Sequence, residues 1–415
     1  MCAKAVMLIM DGVGDRRCAT LSGLTPLEAA RGRAFDLLAQ HGECGIVDVV
    51  SPGLPNGSDT GHLALLGYDP FKYYTGRGPL EALGAGVELK PGDVAFRCNF
   101  ATVDDDGVIV DRRAGRISTD EARVLAEALQ GIKIRGLDGV EIEFIPTVEH
   151  RGVLVMRGRG LSDKVSDVDP HKTGTPLHPP RPLDKSAKAR KTAKALMAYL
   201  EKARQVLSNH PLNKERREKG LNPANALLTR GAGHLPKLEP FSERYGLKAA
   251  VIAGGALYKG VCKAAGFDVI NVEGATGTVN TNLNGKMEAA LRALDSYDFV
   301  LVHVKGTDSA SHDKNPVTKV RVIKNISEAF QRVVDRAFNE GTYVVVTADH
   351  STPVEIGEHR GDPVPVVIYG HDVRRDNIEV FDEIACARGG LGRIRGIDIM
   401  PILCNYLGKM PLYGE

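Results

Sequence analysis

Four apolar runs in this chain are each abruptly punctuated, three of them by residues that can hold a cation, and that pattern restricts the folds open to it. Ala5-Val-Met-Leu-Ile-Met10 stops at Asp11-Gly12, and Phe299-Val-Leu-Val302 passes through His303-Val304 into Lys305-Gly306-Thr307-Asp308. Tyr343-Val-Val-Val346 runs into Thr347-Ala348-Asp349-His350, and Val364-Pro-Val-Val-Ile368 ends in Tyr369-Gly370. Apolar, β-branched runs without polar alternation are the mark of strands buried on both faces, as in a parallel sheet between helices. Helical periodicity over Lys286 to Leu294 and Asn325 to Phe338 fills the intervals, so an α/β domain with a mostly parallel sheet is expected. Such sheets bind ligands beyond the C-terminal ends of their strands, which is where Asp11, Asp308, Asp349 and His350 fall.

These runs lie at the two ends of the chain, and 415 residues exceed one small core. The middle reads differently. Val94-Ala-Phe-Arg-Cys-Asn-Phe-Ala-Thr-Val103 and Gly107-Val-Ile-Val110, separated by Asp104-Asp-Asp106, predict an antiparallel hairpin. A proline-rich stretch from Pro176 to Pro182 precedes a basic segment from Ser186 to Leu207. There Ala193, Leu196, Met197, Leu200, Ala203 and Leu207 recur at helical spacing, which predicts one packed and one solvated face rather than an RNA-binding surface. The division expected is a discontinuous core domain, 1–88 with 244–415, and a smaller inserted α+β domain, 89–243. Near the end, Gly389-Gly-Leu-Gly-Arg-Ile-Arg-Gly396 does not follow a buried strand and predicts a tight turn before a last helix, Asp398 to Leu407.

Lys plus Arg number 54 against 52 Asp plus Glu, so bulk charge gives no reason for a nucleic-acid or membrane partner. An anionic ligand must be held by a local cluster. Cys2, Cys18, Cys44, Cys98, Cys262, Cys386 and Cys404 are scattered without a Cys-x-x-Cys pair, which predicts reduced thiols in a cytoplasmic protein. Ala5 to Met10 is too short for a signal-peptide core or a membrane span.

The residues at the strand ends suit a two-cation site. Asp308 and His312 stand four apart, on one face of a helix beginning near Asp308. Asp349-His350 is an adjacent loop pair, and His359 lies in a loop bracketed by Gly357 and Gly361. In Asn56-Gly-Ser-Asp-Thr-Gly-His62, Ser58 follows the non-helical Pro52-Gly-Leu-Pro55 and precedes a helical stretch from Thr60 to Leu66. It is expected at the helix N-cap, where unpaired N–H groups and the macrodipole favour an alkoxide and the phosphate it acquires. Ser58 is thus the expected nucleophile of phosphoryl transfer. Mixed Asp and His donors favour manganese or zinc, with cobalt or magnesium as alternatives.

Asn56-Gly-Ser-Asp-Thr-Gly-His62, Thr307-Asp-Ser-Ala-Ser-His-Asp313, Thr347-Ala-Asp-His-Ser-Thr-Pro353 and His359-Arg-Gly-Asp-Pro-Val-Pro365 resemble the motif set of the alkaline phosphatase superfamily. More narrowly, they resemble the archaeal-type cofactor-independent phosphoglycerate mutases, from Asp11-Gly12 through to Gly396. The resemblance implies that Asp11, Ser58, Asp349 and His350 hold one metal, while Asp308, His312 and His359 hold the other. It implies interconversion of 3-phosphoglycerate and 2-phosphoglycerate, in glycolysis and gluconeogenesis, through a phosphoserine on Ser58 and without 2,3-bisphosphoglycerate. A substrate bearing phosphate and carboxylate calls for arginine forks. The candidates are Arg113, Arg116, His150, Arg151, Asp169, His171, Arg230 and Lys259. The chain departs from the resemblance at Gly306, where proline is expected. A metal-dependent phosphatase, or another phosphomutase of the superfamily, would use the same ligands, and a homo-oligomer is left open.

Overall fold

A computed structural model describes residues 4–134 and 139–414, and Cys2 lies outside them. Among the described residues the other six cysteines are free and buried. Two compact units emerge, Met1–Tyr74 with Lys237–Glu415, and Thr75–Pro236. The strands are β1 (Ala5–Met10), β2 (Glu43–Asp48), β3 (Val94–Val103), β4 (Ile109–Asp111), β5 (Val140–Pro146), β6 (Arg151–Gly158) and β7 (Ala226–Gly233). They continue with β8 (Ala249–Ile252), β9 (Asp268–Val269), β10 (Phe299–Val304), β11 (Tyr343–Thr347), β12 (Val364–Tyr369) and β13 (Gly392–Arg395).

In the first unit the sheet order is β13-β2-β12-β11-β1-β10-β8-β9. β1 pairs in parallel with β10 and β11, and every residue of these three strands is buried. β12 runs antiparallel to both its neighbours, so the sheet is mostly but not wholly parallel. The register sets Ile9 against His303 and Thr347, so the polar residues that follow the three strands gather at one edge. A long helix, Pro316–Glu340, starts well before the expected Asn325. Asn315 caps it by accepting from Thr318 N, Pro316 fits its first turn, and Gly341 at φ 71 ends it. Its buried stripe includes Val322, Ile323, Ile326, Phe330, Val333 and Val334. Each such side chain contributes about 1.5–3 kcal/mol by leaving water. The Gly389–Gly396 stretch is not only a turn: Gly392–Arg395 forms β13, pairing with β2 while Arg393 grips Asp48 in a two-pronged ion pair. An edge strand of alternating exposure carries no apolar run to announce it.

The second unit is an antiparallel sheet, β4-β3-β6-β5, with β7 also on β3. The expected hairpin is present as β3 and β4, with a register shift at Thr102/Val103. Phe96, Cys98 and Phe100 face a core built with Leu125, Leu196, Tyr199, Ala203 and Leu207. Alternation sends Arg97 and Asn99 to the other face. The helix Arg77–Gly84 belongs to this unit, earlier than a boundary at 89 would place it. The reason is close packing: a Cβ on Gly78 would stand 2.1 Å from Ala95 O, so only glycine lets this helix lie against β3.

One ionisable group in the first unit ties stability to pH. Glu383 accepts from Asp15 N at 3.0 Å and from Thr25 Oγ1 at 2.7 Å. Burial raises its carboxyl to about 7, against 4.5 for the free group. An acid raised on folding stabilises the fold below its unfolded pKa and loses that contribution as pH climbs through the folded value. Between about pH 4.5 and 7 the protein is therefore expected to lose about 2–3 kcal/mol from this group alone. Glu383→Gln, which mimics the neutral acid, should flatten that slope in urea unfolding curves. An unchanged slope would show that Glu383 titrates normally.

Candidate active site

The first unit brings all seven expected ligand residues together. Asp11 follows β1, Asp308 and His312 sit on the helix Gly306–His312 after β10, and Asp349-His350 follows β11. His350 Nε2 lies 3.2 Å from Asp11 Oδ1, 3.2 Å from Ser58 Oγ and 3.7 Å from Asp349 Oδ1. Asp308 is 3.4 Å from His312 Nε2 through Oδ2 and 3.5 Å from His359 Nε2 through Oδ1. The His350 and His359 rings stack with centroids 3.7 Å apart.

The outer nitrogens of these rings are engaged elsewhere. His312 Nδ1 meets Gly357 O at 2.8 Å, and His359 Nδ1 meets Asn56 O at 2.8 Å. His350 Nδ1 lies 3.0 Å from Thr352 Oγ1. A carbonyl can only accept, so Nδ1 of His312 and His359 carries the proton and Nε2 presents its lone pair inward. Ser58 is the first residue of the helix Ser58–Leu65, and Gly57 takes the cap position. This corrects the expected N-cap placement. Gly57 has the extended backbone a cap needs and no side chain to compete, so Ser58 Oγ is free to face His350.

The field of the site attracts cations. Burial opposes an imidazolium at His350, yet Asp349, then Asp11 and Asp308, outweigh it and lift its pKa to about 9. Burial would raise the Asp11 carboxyl, but Lys305, His303 and His350 hold it well below its usual value. Apart from the approaches of the His350 and His62 rings, Asp11 Oδ1 and Asp349 Oδ2 are buried with no hydrogen bond among the described residues, an expensive arrangement unless another ligand takes them. Asp308, His350 and His359 form one group whose ligand atoms lie within 4.8 Å, and Asp11, Asp349 and His350 form another.

Sequence reasoning missed several neighbours. Lys305 Nζ bridges Asp11 Oδ2 at 3.2 Å and Asp308 Oδ2 at 2.6 Å. His303 Nε2 meets Asp11 Oδ2 at 3.0 Å, with the Tyr258 ring stacked 3.5 Å behind it. His62 lies 3.4 Å from Asp349 Oδ2 and also reaches Ser58 O. The signals existed: Lys305 stands in the Asp308 loop, and His62 follows Ser58 at i+4.

The second unit carries a cationic cluster. His150 is buried, and burial followed by Arg151, Arg113, Arg97 and Arg116 pushes it down to about 3, leaving it neutral. Arg112 grips Asp169 with two bonds of 2.8 and 2.7 Å. His171 Nδ1 lies 3.3 Å from Arg112 and 3.2 Å from Arg230. Arg97 pairs across the sheet with Arg230, and Glu81 Oε1 holds Arg77 at 2.8 Å and Arg97 at 3.3 Å. Arg116 and His171 adopt φ 54 and 59, left-handed conformations that side chains accept at a cost and that concentrate at ligand clamps. Seven of the eight expected substrate-binding residues thus lie in this unit. Lys259 lies in the first, on the helix Ala256–Ala264, where it donates to Asn271 Oδ1 at 2.9 Å. Arg77 and Arg97 were not anticipated.

Comparison with known proteins is consistent along the whole chain. A family model described as 2,3-bisphosphoglycerate-independent phosphoglycerate mutase matches residues 39–213, and the alkaline phosphatase model matches 274–379. A curated relative from Methanocaldococcus jannaschii, named 2,3-bisphosphoglycerate-independent phosphoglycerate mutase 1, is 50% identical over 411 residues, 99% of each chain. A solved structure of a Pyrococcus horikoshii protein is 37% identical with a TM-score of 0.87, covering 100% of both chains. The cofactor-independent phosphoglycerate mutase of Thermoplasma acidophilum is 39% identical with a TM-score of 0.69, over 98% of this chain and 100% of that one. With its alkaline-phosphatase-like sheet and its relatives matched from end to end, the chain belongs to the 2,3-bisphosphoglycerate-independent phosphoglycerate mutases.

Proposed function

We propose that the protein interconverts 3-phosphoglycerate and 2-phosphoglycerate through a phosphoserine on Ser58. The observation that carries this reading is Ser58 Oγ, 3.2 Å from His350 Nε2, inside a ring of buried Asp and His donors. Ser58 Oγ attacks phosphorus, the bond to the substrate oxygen breaks, and the glycerate hydroxyl is freed. Glycerate then turns without leaving, and its other hydroxyl takes the phosphoryl group from Ser58.

The donor set fits two divalent cations. Asp11, Ser58, Asp349 and His350 would hold one, and Asp308, His312 and His359 the other. The orphaned oxygens of Asp11 and Asp349 and the inward Nε2 atoms support this. Manganese or zinc suits the mixture best. When bound, such cations supply charge neutralisation at the phosphoryl oxygens and a lowered pKa for the serine hydroxyl. Lys305 would hold Asp11 and Asp308 in place, and His303 would do the same for Asp11.

The second unit would bind the substrate's anionic groups. Arg97, Arg113, Arg116, Arg151 and Arg230 offer guanidinium forks, neutral His150 offers a hydrogen bond, and Asp169 and His171 steady Arg112 and Arg230. Lys259 would be a further cation for the substrate. Among the described residues no helix is long and apolar enough to cross a membrane. Buried free thiols support a reducing, cytoplasmic setting.

Protein supplied with Mn2+ and 3-phosphoglycerate alone is expected to form 2-phosphoglycerate while releasing little phosphate, with no bisphosphoglycerate added. A chelator should abolish turnover, and Mn2+ should restore it. Phosphate release without isomerisation would make this a phosphatase on the same ligands.

A further inference from the structure

Lys319 is fully buried on the helix Pro316–Glu340, at a position where a long charged side chain costs stability unless every donor is used. Its ammonium donates to Gly12 O at 3.0 Å, Thr352 O at 3.1 Å and Asp15 Oδ2 at 2.8 Å. Three acceptors match three N–H groups. The Asp15 carboxylate in turn accepts from Val354 N at 3.2 and 3.1 Å. One ammonium thus joins the loop after β1 to the loop after β11.

What those loops carry gives the contacts their meaning. Gly12 N donates to Asp349 Oδ1 at 3.1 Å, beside Asp11. Thr352 Oγ1 lies 3.0 Å from Asp308 Oδ1 and 3.0 Å from His350 Nδ1, so this one residue touches members of both ligand sets. The clearance is small: a Cβ on Gly12 would stand 2.6 Å from Thr352 Oγ1 and 2.8 Å from Asp308 Oδ1. A shift of either loop would therefore move Asp11, Asp349, Asp308 and His350 together.

We infer that Lys319, with Asp15, is a positioning residue that sets the spacing of the two cation sites by locking Gly12 and Thr352. This rests on the two-cation reading above. Lys319 touches no proposed ligand and acts only through the backbone carbonyls of those two residues.

The test is Mn2+ binding to the full chain, with free Mn2+ followed by its electron paramagnetic resonance signal. Wild type is expected to bind two ions, and Lys319→Met to bind both about tenfold or more weakly, as for other residues that orient ligands. Asp15→Asn, closer in shape and easier to fold, should weaken both in the same direction by a smaller factor. Val333→Ala, buried on the same helix, should lower the melting temperature and leave Mn2+ affinity within twofold. Equal affinity in Lys319→Met and wild type, or an equal loss in Val333→Ala, overturns the inference. If Lys319→Met does not fold, unchanged affinity in Asp15→Asn overturns it instead. Wild type that binds no Mn2+ would remove the two-cation reading, and the inference with it.

Discussion

Ser58→Ala is expected to lower mutase turnover by about four orders of magnitude or more, the scale seen when a covalent nucleophile is deleted. Ser58 is buried at the start of its helix, and Oγ contacts His350 Nε2. Alanine keeps the helix, because Gly57 rather than Ser58 takes the cap position. The other six expected ligands are untouched by the change. Mn2+ should therefore still bind, more weakly at the site Ser58 would share. Turnover of 3-phosphoglycerate at saturating Mn2+, with binding verified on the same sample, separates loss of the nucleophile from loss of metal. Substantial activity in a metal-loaded Ser58→Ala protein would mean that the phosphoryl group never rests on this serine.

Why the first-unit site could be read in the sequence, and the second-unit cluster only in part, follows from how each is built. At a parallel sheet edge the chain must switch from apolar to polar within one or two residues. Asp11, Asp308 and Asp349 therefore stand out against β1, β10 and β11. Arg97 carries no such mark. It sits inside β3 among residues that alternate between two buried faces, so its charge looks like an interruption of the strand. The carboxylate that offsets it, Glu81, arrives from a helix whose pattern does not reveal which sheet it covers. Lys319 is hidden likewise, because lysine on a long amphipathic helix is usually solvated and here is not. Strand direction was also out of reach: β12 has the same apolar character as β11 yet runs the opposite way.

Arg97→Lys is expected to lower kcat/KM for 3-phosphoglycerate by about a hundredfold, mostly through KM, while the protein stays folded. The Arg97 side chain, 13% exposed, lies between Glu81 and the arginines of the neighbouring strands, and among the described residues its buried Nε has no hydrogen-bond partner. Burial alone would raise the Glu81 carboxyl, but Arg97 and then Arg77 drive it down to about 2. Glu81 therefore remains a carboxylate at every working pH and keeps the guanidiniums charged and fixed in direction. Lysine preserves the charge opposite Glu81, so the buried pair is not broken outright, a loss that would cost about 3–5 kcal/mol. What lysine cannot supply is the planar fork that meets a carboxylate or phosphate with two parallel bonds. KM and kcat measured separately, with thermal unfolding of the same samples, distinguish lost anion recognition from a loosened fold. If Arg97→Lys keeps wild-type KM, the anion is held elsewhere, and the Arg113, Arg116 and Arg151 side of the cluster becomes the site to test.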